Sequence, residues 1–328
     1  MSLTVVGAGP VGLAVAIVAR ERGLDVRVIE KQRGPTLDKA CGEGLMPLGV
    51  DWLHRHGVEV EPDGHHDFTG IRWIDGPHTL EADFPHGVGW GIRRTFLHRA
   101  MLARAESLGV EVQWGQEVTA IPSGWVVAAD GLHSPMRRRA GLAAGPGRHK
   151  RFGIRRHVTM TPWTDRVEVY WAEDCEAYVT PVGPTRVGIA FLSPKGRFNA
   201  LLERFPQLAE RLEGHPVESQ DRGAGPLHQR VTAVHTGRVA LVGDAGGYLD
   251  AITGEGMSLG FRQAEAAVDA VIRGDLAGYG RAHARLVRVP MTLMRLLLFA
   301  ERHPALRRAL VRFTPPAVFG RMLRLNDG

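Results

Sequence analysis

One stretch decides the fold: Arg238-Val239-Ala240-Leu241-Val242-Gly243-Asp244-Ala245-Gly246-Gly247, continuing to Thr253-Gly254-Glu255-Gly256-Met257. Its apolar start predicts a short buried strand that ends just before the carboxylate of Asp244. A glycine-rich loop follows, and a helix is expected to begin near Gly256. A strand, a carboxylate, a glycine loop and a helix start in this order are typical of a nucleotide site in an α/β protein.

A second glycine motif lies about 230 residues earlier, at Gly7-Ala8-Gly9-Pro10-Val11-Gly12. It follows an apolar strand at 3–7 and opens an apolar helix at 11–22. The first glycine permits a tight turn, the second lets a pyrophosphate approach the backbone, and the third lets the helix pack on the strand. The helix N-terminus then presents its free N–H groups to the anion.

An acidic residue is found where such a motif requires one. Glu30 ends the second predicted strand, 25–30, eighteen residues after Gly12 and beside Lys31, where its carboxylate can accept hydrogen bonds from a ribose diol. The N-terminal site alone would suffice for NAD. The additional site at Asp244 predicts an extended FAD instead.

A third motif, Asp130-Gly131-Leu132-His133-Ser134-Pro135-Met136-Arg137, follows a predicted buried strand at 125–128. By itself it indicates a turn in which Asp130 caps the next helix and Arg137 lies one turn further on. Capping is the favoured interpretation when the motif is taken alone.

Together the three motifs resemble the FAD-dependent superfamily of aromatic hydroxylases, geranylgeranyl reductases and flavin-dependent halogenases, over roughly residues 3–275. The resemblance implies that Asp244 binds the flavin ribityl chain and that Arg94 lies against FAD. It also implies that the loop Gly254-Glu255-Gly256-Met257 presents backbone N–H groups to the isoalloxazine ring. A helix N-terminus at Gly256 would stabilise the negative charge of reduced flavin.

The segment Lys39-Ala40-Cys41-Gly42-Glu43-Gly44-Leu45 resembles the Cys-Gly-rich flavin loop of the reductase and halogenase branches. Cys41 is therefore a candidate for the flavin face, and packing under a loop remains an equal alternative. The Trp-x-Trp-x-Ile-Pro signature of halogenases is absent, which argues against halogenation. Ala251 stands where the family commonly has proline.

The expected fold class is α/β, with a Rossmann-like FAD-binding domain, an interleaved antiparallel substrate domain and C-terminal helices. Segments 151–160, 166–171, 176–180 and 186–192 predict one antiparallel sheet, 68–84 a hairpin around Asp75-Gly76, and 199–212 one helix. The predicted FAD domain comprises 1–64, 91–149 and 233–277. The substrate domain comprises 65–90 and 150–232, and the helical segment 278–328.

Composition excludes several classes of protein. The formal charge of +6 is concentrated in residues 281–328, which hold ten Arg against two acidic residues, and no aromatic-rich nucleic-acid module accompanies it. Two cysteines are too few for a disulfide framework and favour a reducing cytoplasm, and no Cys/His spacing predicts a metal site. The apolar, arginine-flanked run at 291–299 predicts either helix packing over the substrate cleft or a peripheral membrane contact.

The predicted function is that of an FAD-dependent oxidoreductase that uses NAD(P)H as a transient reductant. Hydroxylation or epoxidation of an apolar, aromatic or polyketide molecule is the leading reaction. Reduction of carbon–carbon double bonds, as in an isoprenoid chain, is the alternative, and a non-catalytic flavin-binding protein is a third. Trp73, Trp90, Tyr170, Trp171, Tyr178 and Phe191 either line an aromatic pocket or form the core of the sheet.

Overall fold

The computed structural model describes residues 2–35, 37–145, 147 and 150–324. Its strands are β1 (Ser2–Val6), β2 (Asp25–Glu30), β3 (Gly44–Leu45), β4 (His65–Phe68), β5 (Gly70–Asp75), β6 (His78–Asp83), β7 (Gly89–Ile92), β8 (Glu111–Trp114), β9 (Trp125–Ala128), β10 (Phe152–Thr159), β11 (Arg166–Ala172), β12 (Cys175–Gly183), β13 (Arg186–Ser193), β14 (Arg222–Ala224), β15 (His235–Thr236) and β16 (Val239–Leu241). Its helices are α1 (Pro10–Glu21), α2 (Pro47–Arg55), α3 (Arg94–Ser107), α4 (Pro135–Arg139), α5 (Phe198–Leu202), α6 (Pro206–Leu212), α7 (Gly256–Arg273), α8 (Leu276–Glu301), α9 (Pro304–Phe313) and α10 (Pro316–Arg324).

A six-stranded sheet in the order β15-β16-β9-β1-β2-β8 forms the nucleotide-binding part of the molecule. All its pairs are parallel except β15 with β16. Its strands and α1 and α7 share one core, which includes Val5, Val28, Ile17 and Val268. Because β16 pairs with β9 and β9 with β1, the three predicted motifs follow three adjacent strands and meet at one edge.

A seven-stranded sheet in the order β14-β10-β13-β12-β11-β5-β6 and a small sheet β3-β7-β4 complete the α/β fold expected from the sequence. The four segments expected to form one antiparallel sheet do so as β10, β13, β12 and β11, and the β5–β6 hairpin joins them because β5 runs parallel to β11. The hairpin around Asp75-Gly76 is present as β5 and β6, but it is shorter than 68–84, because Phe68 belongs to β4 of the small sheet.

The single helix predicted over 199–212 is two helices, α5 and α6. Pro206 has no backbone N–H and is the first residue of α6, so the first helix ends before it. Both helices pack Phe198, Leu201, Leu208 and Leu212 against one face of the seven-stranded sheet.

The C-terminal helices cover the opposite face of that sheet. Gly274 ends α7 in a left-handed conformation, and the side chain of Asp275 accepts the Gly278 N–H to start α8. Helices α9 and α10 then pack on the β5–β6 hairpin, where Phe319 lies against Trp73 with ring centroids 4.5 Å apart. Among the helices that the structure describes, none has both the length and the apolar character needed to cross a bilayer.

Candidate cofactor and active site

The three motifs meet where the carboxyl ends of β1, β9 and β16 lie side by side. A Cβ built on Gly243 would lie 3.3 Å from both γ-carbons of Val11, so the first turn of α1 contacts the Gly243-Asp244 turn. Arg137, which is 3% exposed, donates to the carbonyl oxygens of Asp244 at 3.2 Å, Ala245 at 3.3 Å and Leu132 at 2.8 Å. One guanidinium therefore joins the Asp130-Gly131 motif to the Gly243-Asp244 motif.

The glycine loop between β1 and α1 is closely packed. A Cβ on Gly12 would lie 1.8 Å from the carbonyl oxygen of Gly7, and a Cβ on Gly7 would lie 2.6 Å from that of Ala129. Neither position admits a side chain without moving backbone. These two glycines therefore have the packing roles that the motif predicts.

Two buried side chains fix the peptide of Ala8 within this loop. Its N–H donates to Glu30 Oε2 at 2.8 Å, and its carbonyl oxygen accepts from His98 Nε2 at 2.8 Å. Burial lowers the pKa of His98, which is consistent with a neutral imidazole that donates from Nε2. The sequence did not single out His98, because its partner lies 90 residues away in the chain.

Glu30 lies at the end of β2 as expected and is largely buried. Its other oxygen, Oε1, accepts the backbone N–H of Gln32 at 2.9 Å. Each carboxylate oxygen accepts one backbone hydrogen bond and retains capacity for a second, as a ribose diol requires. Lys31, the next residue, is exposed beside it.

Two cations and one carboxylate surround the space next to the glycine loop. Arg94, at the start of α3, places Nη2 3.8 Å from where a Cβ of Gly9 would be, and Lys39 Nζ lies 3.6 Å from the corresponding position at Gly131. Desolvation in the cleft and the charge of Arg94 lower the pKa of Lys39. Desolvation also raises the pKa of Asp244, although Arg94 and Lys39 oppose this effect. The sequence quoted Lys39 only as part of a loop and gave it no role.

These surroundings fit an FAD. A Cβ on Gly42 or Gly254 would meet nothing within 4 Å, so both glycines border open space, as does Gly9 apart from Arg94. Arg94 Nε is buried and has no hydrogen-bond partner among the described residues. Open backbone and an unpaired guanidinium N–H beside a helix N-terminus suit a diphosphate.

Asp130 is not the N-cap that the sequence predicted for α4. Ser134 is the N-cap, and its hydroxyl oxygen accepts the Arg137 N–H at 2.9 Å. Asp130 accepts instead from the Ser134 hydroxyl at 2.5 Å and from the Met136 N–H at 2.9 Å. Pro135 occupies the first helical position, so the residue before it is the cap, and Asp130 supports that cap from outside the helix.

The loop that contains Asp244 and Gly254 leads directly into α7. The Gly243 N–H donates to Gln263 Oε1 at 2.7 Å, which ties the start of the loop to the third turn of α7. Gly256 begins the helix and is exposed, Glu255 is buried and Met257 is partly buried. Gln263 is a further supporting residue that sequence reasoning missed, since a glutamine inside a helix carries no recognisable signal.

Cys41 lies in a turn in which Cys41, Gly42 and Glu43 each accept a hydrogen bond. The Glu43 N–H donates to Cys41 Sγ at 3.4 Å, and the Thr180 hydroxyl donates to the Gly42 carbonyl oxygen at 2.8 Å. The Ile92 N–H donates to the Glu43 carbonyl oxygen at 2.8 Å. Burial raises the pKa of the Cys41 thiol, which favours the protonated form.

One face of β12, which carries Glu176, Tyr178 and Thr180, covers this site, and we call this face the roof. Thr180 contacts the Cys41 turn, and two residues earlier the Tyr178 hydroxyl donates to the Ile252 carbonyl oxygen at 3.0 Å. Alternate residues of a strand share a face, so Glu176 lies on the roof as well. Trp73 and Trp171 belong to the same apolar cluster as Tyr178, whereas Tyr170 and Phe191 pack on the opposite face and Trp90 in the nucleotide-binding core.

A buried charged cluster adjoins the roof. Arg151 pairs with Glu176, and its Nε lies 3.6 Å from Asp250 Oδ2. Burial raises the pKa of Glu176 to about 8 even though Arg151 opposes it, and burial also raises the pKa of Glu301. One guanidinium shared among three buried carboxyl groups therefore leaves a proton on this cluster at neutral pH.

Comparison with known proteins agrees with this geometry. Residues 1–124 match the family model described as an FAD binding domain. The chain is similar to a menaquinone reductase of Mycobacterium tuberculosis, at 25% identity over 84% of this chain and 77% of the relative. It is also similar to digeranylgeranylglycerophospholipid reductase 2 of Methanopyrus kandleri, at 24% identity over 78% of this chain and 72% of the relative.

Among solved structures, a flavoprotein/dehydrogenase from Cytophaga hutchinsonii shares the fold. Its TM-score is 0.86 at 18% sequence identity, and the match covers 99% of this chain and 92% of that one. The cofactor is FAD, and the chain is an FAD-dependent oxidoreductase.

Proposed function

We propose that this enzyme saturates carbon–carbon double bonds of an isoprenoid chain, with NAD(P)H as the reductant, at the cytoplasmic surface of a membrane. When bound, FAD supplies the hydride that such a reduction requires. Three predicted cofactor residues would hold it, with Glu30 at the ribose, Arg94 at the diphosphate and Asp244 at the ribityl chain. Lys39, which the sequence did not assign, would join Arg94 at the diphosphate. The domain division predicted from the sequence is retained as part of this proposal.

The observation that carries the proposal is a continuous apolar layer between the seven-stranded sheet and the C-terminal helices. It begins at Ile252, just before the flavin loop, and extends to Phe319 of α10. Its buried members are Ile71, Leu80, Val169, Trp171, Ile252, Met294, Leu297, Leu298, Val311 and Phe319. A long hydrocarbon chain in such a layer would contact apolar side chains.

Two further observations support reduction. The Cys41 turn resembles the flavin loop of the reductase and halogenase branches rather than that of the simple hydroxylases, and the protonated thiol suits a site that must supply protons. The two relatives named above are both reductases, and one of them takes its name from a geranylgeranyl lipid.

The decisive experiment is an anaerobic turnover assay. Protein loaded with FAD is mixed with NADPH or NADH and a polyprenyl lipid or menaquinone, and products are analysed by mass spectrometry. Gain of two hydrogens per double bond without oxygen is the expected result. No saturated product with either reductant, under conditions in which the flavin is bleached, would contradict the proposal.

Monooxygenation is the second candidate, because Trp73, Trp171 and Tyr178 give the roof an aromatic side. The sequence of β12 also lacks the aromatic-rich motif of the reductase branch. This candidate requires dioxygen, so product that forms only in air, and carries oxygen from it, would favour it. Flavin that neither reductant bleaches would instead indicate a non-catalytic flavoprotein.

We also propose that the C-terminal helices contact an anionic lipid surface. Val289, Leu296 and Phe299 recur at helical spacing on the exposed side of α8, and Leu306, Leu310 and Phe313 do so on α9. Phe313 is 70% exposed and Leu296 is 61% exposed. Arginines interleave with these side chains, so the surface pairs apolar contact with positive charge.

Vesicle flotation tests this contact. Phe299→Glu combined with Phe313→Glu is expected to abolish binding to anionic vesicles, because each phenylalanine withdrawn from the interface forfeits roughly 1.5–3 kcal/mol. Ile121→Glu, a change of an exposed apolar residue in the loop between β8 and β9, is the matched control. Equal flotation of the double variant and the control would refute the contact.

A further inference from the structure

A chain of hydrogen bonds leads from the protein surface to the Cys41 turn. Ser219 lies half-buried in an open groove of about 520 Å³ lined by Arg156, Val217, Glu218, Ser219, Gln220 and Asp221. Its Oγ is 2.8 Å from His157 Nδ1, and His157 Nε2 is 2.5 Å from Glu43 Oε2. His157 is fully buried and Glu43 is 2% exposed.

The surroundings of His157 fix its tautomer. Arg155 Nη1 faces Nδ1 at 3.1 Å and can only donate. The Ser219 oxygen accepts the backbone N–H of His157 at 3.0 Å, so its hydroxyl proton is free to point at the same Nδ1. Nδ1 is therefore an acceptor, and Nε2 carries the proton that is donated to Glu43.

Glu43 occupies a strained position. Its φ of +59° lies in the left-handed region, which costs a non-glycine residue on the order of 1–2 kcal/mol. Its carboxylate compensates by accepting the Arg94 N–H at the start of α3 at 2.9 Å, in addition to the hydrogen bond from His157. A glycine would avoid the strain but would not provide this carboxylate, so the strain is retained for the side chain.

The charges around the chain of groups balance. Arg155 pairs with Asp38 and lies 3.8 Å from Glu43, and Arg222 lies 3.4 Å from Asp38. A guanidinium does not give up its proton at any working pH, so Arg155 orients the imidazole and conducts nothing. Of the two donors that face Nδ1, the Ser219 hydroxyl is the one that exchanges with solvent.

We propose that Ser219, His157 and Glu43 form a relay that carries protons from the surface groove to the buried turn at Cys41. In one passage the Ser219 O–H bond breaks as an N–H bond forms at Nδ1, and the Nε2–H bond breaks as an O–H bond forms at Glu43 Oε2. Water in the groove returns a proton to Ser219, Glu43 releases its proton into the turn, and a half-turn of the imidazole about its Cβ–Cγ bond brings the N–H back to the Glu43 side. The relay rests on the proposed function, because saturation of a double bond consumes one hydride and one proton and so requires a supply of protons.

Proton uptake that accompanies reduction of the bound FAD provides a test that needs no lipid substrate. Reduced methyl viologen supplies electrons without protons, and a pH indicator in weakly buffered solution follows the uptake in a stopped-flow instrument. Ser219→Ala is expected to slow uptake at least tenfold, because it removes the hydroxyl, and Ser219→Thr is expected to restore it, because it returns one. His78→Gln, on β6 of the same sheet, is the control.

His157→Gln separates conduction from structure. The glutamine amide can still donate to Glu43, but it cannot accept a proton on one side and release it on the other. We expect roughly 10²-fold slower uptake, an unchanged Kd for FAD and a changed solvent isotope effect. His157→Ala should regain speed when imidazole is added, because the groove gives imidazole access to the space beside Ser219.

Uptake at the wild-type rate in both Ser219→Ala and His157→Gln would overturn the relay. A weaker affinity for FAD combined with a normal rate of proton uptake per bound flavin would also overturn the relay. That result would show that these residues only hold the structure of the site. Failure of the wild-type protein to reduce any lipid would count against the proposed function and would leave these uptake rates as they are.

Discussion

The docking of the C-terminal helices on the seven-stranded sheet depends on one buried ion pair. Arg307 of α9 donates from Nε to Asp75 Oδ2 at 2.8 Å and from Nη2 to Oδ1 at 3.2 Å. Its Nη1 donates to the Ala172 carbonyl oxygen at 3.0 Å. The side chains of Arg307 and Asp75 are 6% and 8% exposed, so water has little access to either partner.

Arg307→Met keeps the apolar stem and removes the charge, which leaves the Asp75 carboxylate buried without its cation. Breaking a buried pair in this way costs about 3–5 kcal/mol. At about 1.4 kcal/mol per factor of ten, the population in which α9 has detached should rise by a factor of roughly 10² to 4 × 10³. Adding Asp75→Asn should recover part of this loss, because the buried charge is then gone.

Arg308→Met is the matched control, since Arg308 is the exposed neighbour on the same helix, and it should change stability by less than about 0.5 kcal/mol. Hydrogen exchange of the α9 amides measures the open population directly, and urea unfolding measures the global change. Equal exchange rates in Arg307→Met and Arg308→Met would refute the assignment of α9 docking to this pair.

Three other predictions concern the cofactor site and its surroundings. Gly9→Ala should leave the unfolding free energy nearly unchanged but weaken FAD binding roughly tenfold or more in a fluorescence titration, because the new methyl group meets only Arg94 at 3.8 Å yet occupies the path of a phosphate. Arg137→Met should cost about 2–4 kcal/mol and raise the Kd for FAD, because the acceptors at residues 132, 229, 244 and 245 lose their donor; an unchanged melting temperature would contradict this. Burial raises the pKa of Glu176 to about 8, so the folded protein retains a proton that the unfolded chain loses, and stability should fall as pH rises from about 5 to 8. Glu176→Gln should remove this decrease in the free energy of unfolding. The explanation is contradicted if the free energies of unfolding of the two proteins change with pH in parallel.

The positions of the three cofactor motifs were predictable because each consists of local signals. An apolar strand, a glycine turn and a helix start specify their own geometry, and parallel pairing of the strands brings the turns together. The cap of α4 was also predictable in principle: Ser134 directly precedes a proline at the first helical position, and that signal outweighs the Asp-Gly pair at 130–131. The break at Pro206 carried a signal of the same kind.

The residues that support the site were not predictable, because each acts on a partner far along the chain. His98 acts on Ala8, Gln263 on Gly243 and His157 on Glu43. Nothing local distinguishes them from ordinary core side chains. The parallel pairing of β5 with β11 was missed for a related reason, since strand alternation indicates which faces are buried but not the direction of the neighbour. The domain division and the roles of the individual cofactor residues remain predictions.

The insertion of β16 beside β9 has a consequence for how the protein is made. The ribosome synthesises β1, α1 and Glu30 before the rest of their site. The Asp244 turn that completes the site follows more than 200 residues later, after all strands of the seven-stranded sheet. A nascent chain cannot enclose the cofactor until β16 and the start of α7 have left the ribosome. Before that point β9 presents an unpaired edge where β16 will bind, and an unpaired strand edge can pair with another chain. Enclosure of FAD therefore occurs only after the seven-stranded sheet and β16 have been synthesised.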